Sequence, residues 1–336
     1  MTETQPSLRR ERYALESLKS GDGVIVDLES GNFFRLNQSA VTACRELLAC
    51  KTTLEAVERL ADHLHIPLEQ AESFIASVQT LLVQAGIRSP AASPLRYTHE
   101  TEDLCTFSEN DKRIFSIHLR EKSLELCASP GDLRAPLVFY VRAVLPKLLA
   151  LNGVPILHGA ACRTSDSFVA FCGVSGAGKT TTALSFRDAG ASVLSEDLLV
   201  LSVGQAAVEV HEDGERTARA WAAEAAEHLS KQRRIGFSDL AAVTGGTTRP
   251  LTTIWFLEAT RRSGDRFLLH PLSPLEGLLL LLGNGFLASV DPIQWRGFLH
   301  RSVLIAESTT MRALTAPAGL ENLAAAARAY SLNSAS

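Results

Sequence analysis

The fold is decided by Gly173-Val174-Ser175-Gly176-Ala177-Gly178-Lys179-Thr180, which satisfies G-x-x-x-x-G-K-[ST] at every fixed position. The preceding Phe168–Cys172 has the apolar run of a buried strand, and the following Thr181–Phe186 continues as the first turns of a helix. Glycines let backbone N–H groups surround phosphate oxygens, while Lys179 reaches the outer phosphates and the Thr180 hydroxyl is a magnesium ligand. The loop together with Thr181 therefore predicts a nucleotide site for ATP and Mg²⁺.

Composition limits the class of protein. The 336 residues are enough for two or three domains, and 46% hydrophobic with 21% charged residues is typical of a globular protein. A net charge of −4 argues against nucleic acid as a partner bound by bulk electrostatics. The polar N-terminus has no signal-peptide core, the run around Gly277–Leu282 is too short to span a bilayer, and the six cysteines form no C-x-x-C pair. We expect a cytoplasmic protein without a membrane partner.

The first part of the chain has the pattern of a small α+β module. Two strand-like runs, Val24–Leu28 and Asn32–Leu36, flank a turn at Glu29-Ser30-Gly31, which predicts a hairpin. Three helices follow: one capped by Asn37 or Ser39, one capped by Thr53, and one that opens at Pro67 and stops at Gly86. The pattern predicts a winged-helix-like domain over residues 1–88, a Pro- and Ser-rich linker over 89–95, and a second domain over 96–336.

The second domain has the pattern of an α/β fold, with a mixed sheet flanked by helices. Its chemistry centres on the acidic pair Glu196-Asp197, which follows the strand-like Ala191–Leu194 directly after the helix of the phosphate loop. Phosphoryl transfer needs a metal ligand and a base for the acceptor hydroxyl, so Asp197 is predicted to hold magnesium with Thr180 while Glu196 acts as the base. His158, one hairpin before the loop, is predicted to lie near the transferred phosphate.

These residues resemble HPr kinase/phosphorylase. The match covers His158-Gly159, the loop from Gly173 to Thr180, Gly190 and Ser195-Glu196-Asp197-Leu198, without a gap. The resemblance implies that His158, Glu196 and Asp197 occupy the positions of the family's active-site histidine, catalytic aspartate and second acid. It also implies that Lys179 binds phosphate and Thr180 binds metal. A homo-oligomer is a further expectation, because HPr kinases are hexamers.

Two departures from that family shape the expected substrate. Glu196 replaces the catalytic aspartate, and the Glu-Ile-Arg-Gly-Leu-Gly signature is absent, with only Arg234-Ile235-Gly236 as an echo. HPr is therefore a poor candidate for the acceptor. The pattern is similar to the HPr-kinase-like enzymes of peptide biosynthesis, such as lasso-peptide kinases, which phosphorylate a precursor peptide.

The N-terminal module resembles the PqqD family over Gly23–Asn37 and in its ending at Gly86-Ile87. PqqD-like domains are leader-peptide recognition elements, in which the leader adds as a strand beside the hairpin and rests on the third helix. The resemblance implies a peptide groove, and the residues predicted to line it are Phe33, Phe34, Arg35, Leu36, Phe74, Val78 and Leu81. A precursor peptide is the expected partner, together with other peptide-maturation enzymes.

The prediction is an ATP-dependent phosphotransferase acting on a Ser or Thr hydroxyl of a precursor peptide, whose tethered recognition module raises the local acceptor concentration. A catalytically degenerate peptide carrier and a small-molecule kinase remain the alternatives. DNA binding is disfavoured because the third helix, over 68–84, carries no lysine or arginine. An arginine is expected to assist transfer, and the sequence does not choose among Arg216, Arg219, Arg233, Arg234 and Arg249.

Overall fold

The computed structural model describes residues 11–28, 32–83, 95–101, 103–163, 168–174, 176–205, 207–284 and 292–333. The predicted turn at Glu29-Ser30-Gly31, the stop at Gly86, most of the predicted linker and Ser175 lie outside the described residues. The chain divides into two compact units, Met1–Pro90 with Val290–Val303, and Ala91–Ser289 with Leu304–Ser336. The inclusion of 290–303 in the first unit was not predicted, and the domain boundaries at 88 and 95 remain predictions.

The first unit is a three-stranded antiparallel sheet followed by three helices. The strands are β1 (Tyr13–Ser17), β2 (Gly23–Asp27) and β3 (Phe33–Leu36), in the order β1-β2-β3, and the helices are α1 (Gln38–Ala49), α2 (Thr53–Leu64) and α3 (Leu68–Val83). The predicted hairpin is β2-β3, and β1 is a strand that the sequence pattern missed. Asn37 caps α1 as predicted, whereas the cap of α2 is Thr52 and not Thr53, because the Thr52 hydroxyl accepts from the Glu55 N–H at 3.2 Å.

The remainder of the chain is a mixed α/β arrangement, as predicted. Its strands are β4 (Leu95–His99), β5 (Leu104–Glu109), β6 (Lys112–His118), β7 (Ser123–Leu126), β8 (Ile156–Arg163), β9 (Phe168–Cys172), β10 (Ser192–Ser195), β11 (Leu198–Val203), β12 (Val208–His211), β13 (Arg234–Gly236), β14 (Thr248–Pro250), β15 (Thr253–Leu257), β16 (Leu268–Pro271) and β17 (Thr310–Thr315). Its helices are α4 (Leu137–Leu151), α5 (Lys179–Asp188), α6 (Gly214–Gln232), α7 (Pro274–Gly283) and α9 (Leu320–Asn333). Helix α8 (Pro292–Ser308) belongs to the first unit as far as Val303 and to the second from Leu304. The sequence pattern did not predict β4, α6, α8, β13, β14 or β17.

A nine-stranded mixed sheet positions the nucleotide loop. Its order is β14-β12-β11-β8-β9-β15-β17-β16, with β10 also paired to β8. The central strands β9, β15 and β17 are parallel to one another, while β8 is antiparallel to β9. Because β9 and β15 are parallel neighbours, their carboxyl ends meet at the same edge of the sheet, where ligands of open α/β sheets bind.

A second sheet, in the order β13-β7-β6-β5-β4, is antiparallel throughout. It shares one buried core with α4, α6 and strand β11. The face that α6 presents to this core includes Ala218, Ala222 and Ala225, whose small side chains allow helix and sheet backbones to approach closely. This packing fixes the first turn of α6 beside β11, which matters for the site below.

An aromatic cluster holds α5 against the nine-stranded sheet. Phe186 of α5 packs on Phe171 of β9, Trp255 of β15, Phe267 and Tyr330, with ring centroids 5.4 to 5.9 Å apart. Phe171, Phe186 and Trp255 are fully buried. Such pairs contribute roughly 0.5–1.5 kcal/mol each beyond their burial. The helix that starts at Lys179 is therefore rigidly placed.

No helix among the described residues is long and apolar enough to cross a membrane.

Candidate active site

The phosphate loop has the strand–loop–helix context that its motif requires. It leaves β9 at Cys172, and α5 begins at Lys179. Gly176 and Gly178 have φ of +81° and +92°, a region that side chains other than glycine rarely adopt. The first helical bond runs from the Thr182 N–H to the Gly178 carbonyl at 2.9 Å, so the amides of Lys179, Thr180 and Thr181 have no partner within the helix. These N–H groups suit an anion.

Lys179 is buried within its own loop. Its Nζ donates to the carbonyls of Gly173 at 2.9 Å and Val174 at 3.2 Å. Burial lowers the pKa of Lys179, while nearby Cys172 and Asp197 raise it. The ammonium is thus held within the loop by two neutral carbonyl oxygens, and a negatively charged phosphate would replace them as its partner.

The acidic pair directly follows strand β10, as the sequence pattern predicted. Both β10 and β11 pair antiparallel with β8, with Ser195 opposite Ala161 and Leu198 opposite His158. Glu196 and Asp197 form the short interruption between the two strands, and the Asp197 carbonyl still accepts from the Gly159 N–H at 3.1 Å. The preceding strand is half exposed. The acidic pair is therefore held against β8 beside the loop.

Two hydrogen bonds fix the backbone of Glu196. The Thr180 hydroxyl donates to the Glu196 carbonyl at 3.0 Å, which joins the first turn of α5 to the acidic pair. The Glu196 N–H donates at 2.7 Å to Glu215, a buried carboxylate in the first turn of α6. The sequence analysis missed Glu215, since no local motif places it near residue 196. The Glu196 side chain itself is exposed.

The side chains of His158 and Asp197 are hydrogen-bonded, with Nε2 and Oδ1 2.9 Å apart. This hydrogen bond is the main cause that lowers the pKa of the Asp197 carboxyl. Partial burial opposes the shift, and the charges of Arg219 and Lys179 reinforce it. Asp197 therefore stays ionised across the neutral range, which suits a metal ligand better than a proton acceptor.

Replacing His158 with glutamine is expected to raise the pKa of Asp197 toward its ordinary value, because the main stabiliser of the carboxylate is lost. Because folding lowers the pKa of the Asp197 carboxyl, its ionisation stabilises the folded protein above the unfolded pKa of about 4, and this stabilisation is lost as pH falls through the lower folded pKa. His158→Gln should reduce this stabilisation. A ¹³C NMR titration of the Asp197 carboxyl measures the change. His270→Gln, at an exposed histidine of β16, is the control. An unchanged Asp197 pKa in His158→Gln would contradict this account.

Gly159 is required by close packing. A Cβ at this position would lie 2.8 Å from the Phe171 carbonyl oxygen and 3.1 Å from a Leu199 methyl group. Since backbone cannot yield cheaply, Gly159→Ala is expected to destabilise the protein by about 1–3 kcal/mol. The control is Gly131→Ala, where a Cβ meets nothing within 4 Å. Urea unfolding compares the two variants, and equal stabilities would refute the steric explanation.

The structure separates the five candidate arginines. Arg216, Arg234 and Arg249 pair with Asp213, Glu121 and Glu212 respectively. Arg234-Ile235-Gly236 forms β13 in the other sheet, and Arg233 follows the end of α6. Arg219 pairs with Glu215 at 2.5 Å and also lowers the pKa of Asp197. Of the five, Arg219 is the one that the structure brings to the acidic pair.

The residues predicted to bind a peptide are mostly core residues. Phe33, Phe34, Leu36 and Val78 are buried, so they do not line an open groove in this structure. Phe74 and Leu81 are partly buried against the same core, and Arg35 is exposed. Peptide binding by this unit remains a prediction, now carried by the edge of β3 and these last three side chains.

The chain has weak similarity to known proteins. No protein-family model matches the chain, and no curated protein matches it. Among solved structures, the chain is weakly similar to the Hpr(Ser) kinase/phosphatase from Coxiella burnetii, with 10% sequence identity and a TM-score of 0.26. That match covers 54% of this chain and 99% of the other.

Proposed function

We propose that this protein is an ATP-dependent phosphotransferase that phosphorylates a Ser or Thr hydroxyl of a ribosomally made precursor peptide. The observation that carries the proposal is the hydrogen bond from Thr180 to the Glu196 carbonyl, which couples the nucleotide loop to the acidic pair. The bond is to the backbone, and it holds the segment that carries Glu196 and Asp197 beside the residue that follows Lys179. The charges around that bond, Lys179 and Asp197, are those that phosphoryl transfer uses.

The residues have distinct roles in this proposal. Lys179 and the amides that begin α5 bind the phosphate chain and offset its charge. The Glu196 carboxylate accepts the proton of the acceptor hydroxyl as the new O–P bond forms and the bond from the γ-phosphorus to ADP breaks, with its electron pair leaving on ADP. His158 holds Asp197 ionised and oriented. Glu215 keeps the Glu196 backbone in place.

The oxygen donors near the loop fit magnesium. Thr180 supplies a hydroxyl and Asp197 an ionised carboxylate, both hard ligands on neighbouring segments. Within the part of the chain that the structure describes, no group of three or more His, Cys, Asp or Glu is placed to hold a metal. This is compatible with Mg²⁺, which is commonly held by one or two protein ligands plus substrate phosphates. When bound, the ion would offset the charge of the transferred group.

Recruitment of the peptide is assigned to the edge of β3. The order β1-β2-β3 leaves two edges. The side chains of Glu16 in β1 and His300 in the segment 290–303 of the same unit lie 3.4 Å apart. No described strand pairs with the other side of β3. An unpaired edge can bind an extended peptide through backbone hydrogen bonds, with side chains such as Arg35 contributing selectivity.

The test is to incubate the full-length protein with Mg-ATP and the precursor peptide encoded nearest its gene, following intact peptide mass. A gain of one phosphate, about 80 Da, supports the proposal. Nucleotide and leader binding without a mass change would indicate the peptide carrier. Nucleotide binding without leader binding would favour a small-molecule kinase, and the absence of nucleotide binding would refute both kinase functions.

A further inference from the structure

The loop between β15 and β16 places a second cation on the nucleotide loop. Arg261 donates through Nη2 to the Ala177 carbonyl. A Cβ at Gly178 would meet the same nitrogen, so this approach of Arg261 uses the space that glycine leaves, and the φ of +92° favours glycine there as well. The sequence candidates did not include Arg261, which is 84 residues from Ala177 along the chain.

The position of Arg261 follows from the sheet. Strands β9 and β15 are parallel neighbours, so the segments after Cys172 and Leu257 leave the same edge. The adjacent Arg262 is fixed through its backbone, because its N–H donates to Ala316 at 3.3 Å and its carbonyl accepts from Ala318 at 2.8 Å. These backbone hydrogen bonds of Arg262 therefore fix the chain directly after Arg261, which keeps Arg261 beside the nucleotide loop.

The guanidinium of Arg261 has hydrogen-bonding capacity left. Its Nη1 is buried and has no hydrogen-bond partner among the described residues. A buried donor without an acceptor is unfavourable, and this one lies beside the loop whose motif binds phosphate. Among the described residues, the nearby ammonium of Lys179 donates to the carbonyls of Gly173 and Val174, so two cations meet at this loop.

We propose that Arg261 is a phosphate-binding residue of the nucleotide site, contacting the polyphosphate chain through its planar guanidinium. The proposal rests on the nucleotide site of the proposed function and adds a ligand to it. A guanidinium suits this position because it can donate to the Ala177 carbonyl and to a phosphate oxygen at once, which an ammonium does less well.

The test measures binding of Mg-ATP and of magnesium pyrophosphate to the full-length protein by calorimetry. Arg261→Gln is expected to weaken both by about 10-fold or more, and Arg261→Lys by less, since it keeps the charge without the fork. Arg262→Gln is the matched control, because within the described part of the chain that guanidinium donates to the neighbouring Ser263 carbonyl and not to the loop. The loss in Arg261→Gln should shrink as salt is raised, as expected for an electrostatic contact.

Equal affinities of Arg261→Gln and the unaltered protein would overturn the proposal. So would a loss of affinity that is independent of salt and accompanied by a lower unfolding temperature without nucleotide, since that result indicates a loop support only. If neither the unaltered protein nor Arg262→Gln binds nucleotide or pyrophosphate, the nucleotide site fails, and the role of Arg261 fails with it.

Discussion

Replacing Lys179 with methionine is expected to reduce phosphoryl transfer by about 10³-fold, because the developing charge on the transferred group loses its buried cation. The unfolding temperature without nucleotide should not fall. Burial lowers the pKa of Lys179, because the ammonium loses solvation in the fold, and methionine fills similar space without that loss. Peptide phosphorylation rates and thermal unfolding with and without Mg-ATP measure the two effects.

The control for Lys179 is Lys231→Met, which removes an exposed lysine paired with Glu227 on α6. It should leave both the transfer rate and the stabilisation by Mg-ATP unchanged. Transfer that survives in Lys179→Met would mean that the loop is not the site of phosphoryl transfer. A fall in unfolding temperature without nucleotide would mean that the lysine supports the fold.

Replacing Glu196 with glutamine is expected to lower kcat by about 10²- to 10⁴-fold, as removal of a general base does. The KM for Mg-ATP should change little, because the backbone contacts from Thr180 and Glu215 do not involve the altered carboxylate. Glu196→Asp should recover part of the rate. Steady-state kinetics of peptide phosphorylation over a range of Mg-ATP concentrations measure both constants.

Asp197→Asn is the comparison, because the two acids are adjacent but in different surroundings. The Asp197 carboxylate is hydrogen-bonded to His158, and its lowered pKa makes Asp197 a weak base. We expect Asp197→Asn to raise the Mg²⁺ concentration needed for half-maximal rate and to recover when Mg²⁺ is raised. If instead Asp197→Asn loses kcat at saturating Mg²⁺ while Glu196→Gln does not, the roles of the two acids are reversed.

The sequence predicted the secondary structure around the nucleotide loop. Strand β9 and the helix that follows the loop agree with local patterns, since strand, loop and helix are consecutive along the chain. The hairpin that brings His158 beside the loop was also predicted, because β8 and β9 are joined by a short connection. The surroundings of the acidic pair were not predicted, since β10 pairs with β8, about thirty residues earlier in the chain.

By itself, then, the sequence determined a mixed α/β fold with a phosphate loop, an acidic pair and a histidine, because each depends on neighbours within a few residues. Only the tertiary structure decided which distant side chains complete that site. Glu215 reaches Glu196 because alanines let α6 pack closely, and Arg261 reaches Ala177 because two parallel strands end at one edge. The tertiary structure also decided that Phe33 and Leu36 are buried, since packing against the rest of the fold determines which apolar residues of a strand stay accessible.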